Sequence, residues 1–526
     1  MVVKVQVGEK KLFLIIVVVS LILFTVVVVK ETRVLNGFLQ VPTYHYNIEV
    51  LDNGSALVTI TFDAKGPGQS YVYLPRFTNY SLNIEGDVST SVEEDPNIYF
   101  YHKRIFYYNS SDAIHIEVFY VFPYASLMIG DEGWFMSPLI YFSENSVSEI
   151  KVTLPHLKYI IKSQPSPISQ DKDSNTLYFR MGWNDIYFYG YRVAINYRLE
   201  NPIENTPIVR YISGGSIELV FRVPAIYEEI VDKMTVTLDG AQPFFRDLFN
   251  FFPDSLEFEF YLPELQDLST LGYVESEIIS LGKVHINLAL LRFKPGYLEH
   301  TVIHEVVHVM LGKIGVAAKK DTRWIHEGLA EYISIQIEKL MGMNTTETEI
   351  SLEERAKSFR EKYRLGNLIY WSYGSDQDLY YGASYYVMKV LGEKYGGLDF
   401  YRRLFQAIKN GKGVNSTNDF IDAVASVAGG DAYNLFSSWG FPVKKALNPL
   451  LIYSLMIAIV IVAVVVVMVY LNVRKGKEEG LRCPYCGAPL DPISRFCIYC
   501  GREIEETFGT SMPGILHEEG EDEEND

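Results

Sequence analysis

The sequence predicts a multidomain membrane protein. It has an all-β, sandwich-like region at residues 40–200, an α+β region at 208–445, two transmembrane helices and a small four-cysteine module. Three observations lead there. Two apolar runs, residues 12–29 and 449–471, are each long enough to cross a bilayer as a helix. Between them, period-two alternation comes first and helical periodicity follows. All four cysteines fall after the second run, in two Cys-x-x-Cys pairs.

At 526 residues the chain exceeds one ordinary domain, and its 48% hydrophobic content supports sizeable cores. A formal charge of −18 argues against nucleic acid as a partner. Ten acidic side chains and no Lys or Arg occupy residues 503–526. Such a run buries too little apolar surface to fold, so it reads as a disordered acidic tail.

Taken in order, residues 1–11 precede the first apolar run, LFLIIVVVSLILFTVVVV. Its length, and the lack of an Ala-x-Ala-like site after it, favour an uncleaved anchor over a signal peptide. The second run, PLLIYSLMIAIVIVAVVVVMVYL, is too long and uncharged for a globular helix. Lys4, Lys10 and Lys11 precede the first span; Arg474, Lys475 and Lys477 follow the second. Lys30, Arg33, Lys444 and Lys445 on the other side blur that contrast. The cysteine-free middle segment carries Asn-x-Ser/Thr sequons at Asn53, Asn79, Asn109, Asn344 and Asn415. Together these place the middle segment outside the cell membrane, with both termini cytosolic.

Within residues 40–200, YNIEVLDNGSALVTITFDA alternates around an Asn-Gly turn, a hairpin signal. Further short aromatic runs and regular turn signals predict a β-sandwich without catalytic groups. Residues 201–207 read as a linker. Beyond it, strands are expected at 216–223, 256–262 and 284–290, with a helix at 225–238. Helices are expected at 298–313, 324–341, 352–363, 383–395 and 400–409, hence the α+β class.

The segment TVIHEVVHVML sets His304, Glu305 and His308 on one helix. Positions i and i+4 share a face, so both imidazoles can grip one Zn²⁺. Glu305 can then take a proton from the water that the metal activates. A catalytic zinc wants a third protein ligand and an open position. Glu327, in WIHEGLAEY after an 18-residue gap, supplies that ligand. His326 points about 100° away from Glu327 on the same helix and is set aside as a ligand. Glu331, one turn on, is either an acceptor for the outer N–H of His304 or a solvated helix-face carboxylate.

These residues carry a family resemblance. HExxH, the gap and WxxEGxAEY together resemble the gluzincin metallopeptidases, in particular the aminopeptidase N-like branch. The resemblance covers about residues 208–440, with two helices and one later segment carrying its motifs. It implies a thermolysin-like catalytic domain, zinc on His304, His308 and Glu327, and Glu305 as general base. It also implies an oxyanion-stabilising tyrosine just before a later helix. Tyr381 falls on that position, with Tyr380 next to it. One departure stands out. The branch carries Gly-x-Met-Glu-Asn upstream, where this chain has Gly272-Tyr273-Val274-Glu275-Ser276. Glu275 is therefore a candidate substrate-amine anchor, and exopeptidase against endopeptidase stays open.

Near the C-terminus, Cys483 and Cys486 pair with Cys497 and Cys500 across ten residues. Four thiolates so spaced make a closed tetrahedral zinc site, with a glycine turning the chain under each pair. The segment 481–502 resembles a zinc ribbon, held folded by its structural metal. A cytosolic protein partner suits it better than nucleic acid. The functional expectation is a membrane-anchored zinc peptidase acting on a peptide or protein substrate. The alternative is a catalytically inactive membrane sensor that keeps this fold and signals through the ribbon.

Overall fold

A computed structural model describes residues 43–504 except 95–97, 99, 110–112, 141–145, 183, 186–189, 266–269, 276–278, 293–294, 373–375, 444–448, 476–480 and 492–493. The first apolar run and the acidic tail beyond Ile504 lie outside the described residues. The chain divides into two compact units, Met1–Val443 and Lys444–Asp526.

The first unit opens with a β-rich region. Strand Thr43–Val50 buries Tyr44, Tyr46, Ile48 and Val50 on one face. It pairs antiparallel with Ala56–Lys65, as the Asn53-Gly54 turn predicts. Both strands belong to a seven-stranded sheet. Two three-stranded sheets share its core, which gathers Phe62, Phe106, Tyr120, Phe135 and Tyr197. The large sheet is not purely antiparallel, because Thr43–Val50 also runs parallel to Val147–Thr153. Parallel neighbours need a long crossover, which local alternation cannot reveal.

The α+β region is built on a five-stranded sheet ordered Ile208–Ile212, Ile217–Arg222, Ser255–Tyr261, Lys283–Asn287, Gly272–Val274. Helix α1 (Glu228–Phe249) bridges the parallel pair Ile217–Arg222 and Ser255–Tyr261. It runs past the predicted end at 238 and contains Pro243. Burial of Phe245, Leu248 and Phe249 beyond the proline sustains the extra turns, and Phe249 stacks on Phe405 at 4.4 Å.

Among the described residues of this region, seven α-helices follow. They are α2 (Tyr297–Lys313), α3 (Arg323–Leu340), α4 (Thr346–Lys362), α5 (Gln377–Tyr395), α6 (Gly397–Asn410), α7 (Thr417–Ala428) and α8 (Asp431–Ser438). Helix α2 is buried on nearly every side, from Val302 to Leu311. That explains its near-continuous apolar sequence.

The stretch 201–207 is less of a linker than it reads. Its first residues extend the strand Ala194–Ile203. The two regions also interlock. The Met128 N–H donates to the Tyr227 hydroxyl at 2.8 Å, and Trp134 Nε1 donates to the Leu265 carbonyl at 2.6 Å. Partly buried Arg292 donates to the Met136 carbonyl at 2.8 Å beside the Trp134 ring. Leu127, Trp134 and Met136 belong to the core of the α+β region.

In the second unit, helix α9 (Pro449–Lys475) includes the stretch Tyr453–Leu471, long and apolar enough to cross a membrane. A four-cysteine module follows, in which two isolated bridges join Arg482 to Pro489 and Phe496 to Glu503.

Candidate metal centre

Helices α2 and α3 meet side by side, and their facing turns bring together the residues that the sequence singled out. His304 Nε2 lies 3.2 Å from His308 Nε2. Glu327 Oε2 lies 3.5 Å from the former and 3.4 Å from the latter. The three atoms thus form a nearly equilateral triangle. For ligands about 2.0–2.1 Å from a tetrahedral zinc, each ligand–ligand edge is about 3.3 Å. The donor set and the edge lengths therefore fit a tetrahedral metal with one face taken by protein.

The electrostatics follow from burial and from the charges nearby. Burial works to raise the Glu327 carboxyl, but His308 and His304 beside it pull it well below the usual carboxylate range. Glu305 projects from the same turn of α2 and is 5% exposed. Its Oε2 has no hydrogen-bond partner among the described residues. Burial pushes its carboxyl up to about 8, against the pull of His304. An orphaned buried carboxylate oxygen beside a ligand triangle is placed to meet a small polar molecule there.

His326, set aside from the sequence as a ligand, has a different place. Its Nε2 lies 3.1 Å from the Val316 carbonyl, and its Nδ1 lies 3.4 Å from His308 Nδ1. A carbonyl only accepts, so Nε2 carries the proton. Burial and His308 hold the ring's pKa down to about 4, so it is neutral and its Nδ1 accepts. His308 must then donate from Nδ1, which leaves the Nε2 lone pair facing the triangle. His326 thus sets the tautomer of His308, a candidate ligand. On α3 it stands about 100° from Glu327. That offset turns it toward the back of His308, which only the crossing of α2 and α3 reveals.

Glu331 lies 3.8 Å from His304 Nδ1, beyond hydrogen-bond length, and 3.3 Å from His300 Nε2. His300 Nδ1 is 2.6 Å from Glu338. Burial opposes a charge on this imidazole, but Glu338 and Glu331 together raise its pKa well above the ordinary value. Glu331 is thus neither a solvated helix-face residue nor a dedicated partner of His304. It is a partly buried carboxylate that lies between His300 and His304.

A cleft of about 920 Å³ opens over the triangle. His304, Glu305, His308, Glu327, Tyr381, Glu275, Arg323 and Trp371 are among its walls. Tyr381 faces into it, whereas Tyr380, one residue back, stacks on Trp371 and packs edge-on against Phe359. Glu327 and burial keep the Tyr381 phenol protonated, well above its usual range. The backbone of strand Gly272–Val274 passes against the Glu305 side chain, so its free edge borders the cleft. Glu275, just beyond the strand, pairs with His285 at 3.2 Å. That histidine partner was not visible from the Gly-x-x-Glu pattern.

In the second unit, Cys483 Sγ lies 3.8 Å from Cys500 Sγ, and Cys486 Sγ lies 3.6 Å from Cys497 Sγ. A tetrahedral zinc with sulfur at about 2.3 Å gives edges of about 3.8 Å. Under each pair a glycine turns the chain at positive φ, +73° at Gly487 and +68° at Gly501.

Comparison with known proteins agrees with this part of the chain. Residues 482–504 match the zinc-ribbon domain family. The module is a zinc ribbon, with four cysteines placed for one structural zinc. No curated protein matches the chain.

Proposed function

We propose that this chain is a membrane-anchored, zinc-dependent peptidase whose cleft lies on the extracytoplasmic side. The observation that carries the reading is the triangle of His304, His308 and Glu327 with the orphaned Glu305 carboxylate beside it, at the base of an open cleft. The three residues would hold a zinc ion. Bound there, it would polarise a carbonyl and acidify a water molecule.

The chain's own groups supply the rest. Glu305 takes a proton from the attacking water and returns it to the leaving amine. The Tyr381 hydroxyl donates to the oxygen that becomes negative as the carbonyl is attacked. The free edge of Gly272–Val274 offers backbone partners to an extended peptide. His326 keeps the His308 imidazole oriented.

Support for the location comes from α9 and from the sequons. Asn53, Asn79, Asn109, Asn344 and Asn415 are all exposed, as glycan acceptors must be. On this reading the zinc ribbon and both termini are cytosolic, with the lipid bilayer between.

The test uses the full chain in detergent, loaded with zinc and offered a peptide library by mass spectrometry. Cleavage that disappears in Glu305→Gln at unchanged zinc content is the expected result. A zinc-loaded wild type that cleaves no peptide would overturn the reading. Peptides with free and with blocked N-termini separate the two modes of attack. Strong preference for a free amine would assign Glu275 to amine binding, in competition with His285.

A further inference from the structure

We infer that Arg323 is a positioning residue for Tyr381, the two forming one preassembled donor pair at the rim of the ligand triangle. The inference rests on the peptidase reading above. Arg323 is the first residue of α3, four before Glu327 and therefore on the same face. A cation in the first turn of a helix opposes the helix dipole, so local helix energetics do not account for it.

Its surroundings do. The guanidinium lies over the Trp371 ring, 4.4 Å from the centroid. One nitrogen donates to Gln377 Oε1 at 3.2 Å, and Trp371 Nε1 donates to the same oxygen at 2.8 Å. The Trp371 ring then meets Tyr381 edge-on at 4.9 Å. The guanidinium charge also acts on the Tyr381 phenol, drawing it down against the raising effect of Glu327 and burial.

A guanidinium only donates. Toward Arg323 the phenol oxygen can therefore only accept, which leaves its own O–H for another acceptor. Arg323, Tyr381 and Glu327 all line the same cleft, so a group held in it is within the reach of that O–H. Donating from a cation to the phenol oxygen also polarises the O–H and makes it a stronger donor. Stabilising a developing negative charge depends on donors fixed before the charge appears. The Trp371–Gln377 clamp provides that fixity. Lysine cannot stack flat on the indole or serve two acceptors in one plane.

The test is a double-mutant cycle on the full, zinc-loaded chain, using a peptide that the wild type cleaves. Arg323→Gln should lower kcat by roughly 10–100-fold while KM changes by less than about threefold, since the lost contact acts on the transition state. Zinc content should stay unchanged. The double variant with Tyr381→Phe should be no slower than Tyr381→Phe alone, because the two act as a unit. Arg323→Lys should recover little. A KM rise at constant kcat, multiplying single effects, or loss of zinc in Arg323→Gln would each overturn the inference. A wild type without turnover would instead sink the peptidase reading. The same cycle can then be read by calorimetry as affinity for inorganic phosphate. Non-additive weakening supports the pair, and additive or absent effects overturn it.

Discussion

The His304–His308–Glu327 triangle and the four-cysteine ribbon both bring ligand atoms within 4.8 Å of one another, but by opposite means. The triangle is embedded in a large core. Val302, Ile303, Val306, Val307, Trp324, Ile325 and Leu329 around it are fully buried. Its candidate ligand atoms are positioned by helix packing and leave one side open to the cleft. The ribbon has scarcely any core. Cys483 and Cys497 are buried, while Tyr485, Phe496, Ile498 and Tyr499 are exposed. Its fold depends on closing four thiolates around a metal. The lesson is that similar ligand distances say nothing about what the metal is for. What tells is whether the surrounding chain would hold the ligands without it.

The comparison can be broken first by removing metal. Chelation should unfold residues 481–504, whose metal-linked folding energy is about 10–16 kcal/mol in comparable modules. Helices α2 and α3 should keep their amide protection in the same hydrogen-exchange experiment. Coincident loss of protection in both places would show that the triangle, too, is metal-built. The next largest effect is chemical. Glu305→Gln should lower turnover by about 10²–10⁴-fold, the usual contribution of a general base, at unchanged zinc content.

A smaller effect tests the histidine behind the ligand. His326→Ala should weaken zinc affinity by about 10–100-fold, read by competition with a chromophoric chelator. An unchanged affinity would mean that His308 needs no tautomer control. The smallest effect probes how the core sets the site. A Cβ at Gly328 would fall 2.6 Å from the Ser384 carbonyl, where α3 presses on α5. Gly328→Ala should therefore destabilise the first unit by about 1–3 kcal/mol in thermal unfolding and leave the ribbon unaffected.

Much of this was legible in the residues. The two histidines one turn apart, Glu327 after its loop and the paired cysteines are local patterns, and local spacing converts directly into geometry on a helix or a tight turn. The Asn53-Gly54 hairpin and α9 were legible for the same reason. Other features were not. The parallel pairing of Thr43–Val50 with Val147–Thr153 joins strands about a hundred residues apart. The packed boundary near residue 204 depends on Trp134 and Arg292 finding partners in distant segments. Counting favoured Tyr381 over Tyr380, but packing is what separates the two. The start of α5 at Gln377 rotates one into the cleft and the other onto Trp371.

What the sequence by itself determined is the inventory: which side chains can hold a metal, which run can cross a bilayer, and where strands give way to helices. These follow from residue chemistry and short periodicities, which act over a few residues. Only the tertiary structure decided the supporting cast. His326 behind His308, Glu331 between two histidines, His285 against Glu275 and Arg323 over Trp371 are all contacts between separate elements. Such contacts depend on how helices cross and sheets order, and that is settled by burying one shared core rather than by any local pattern.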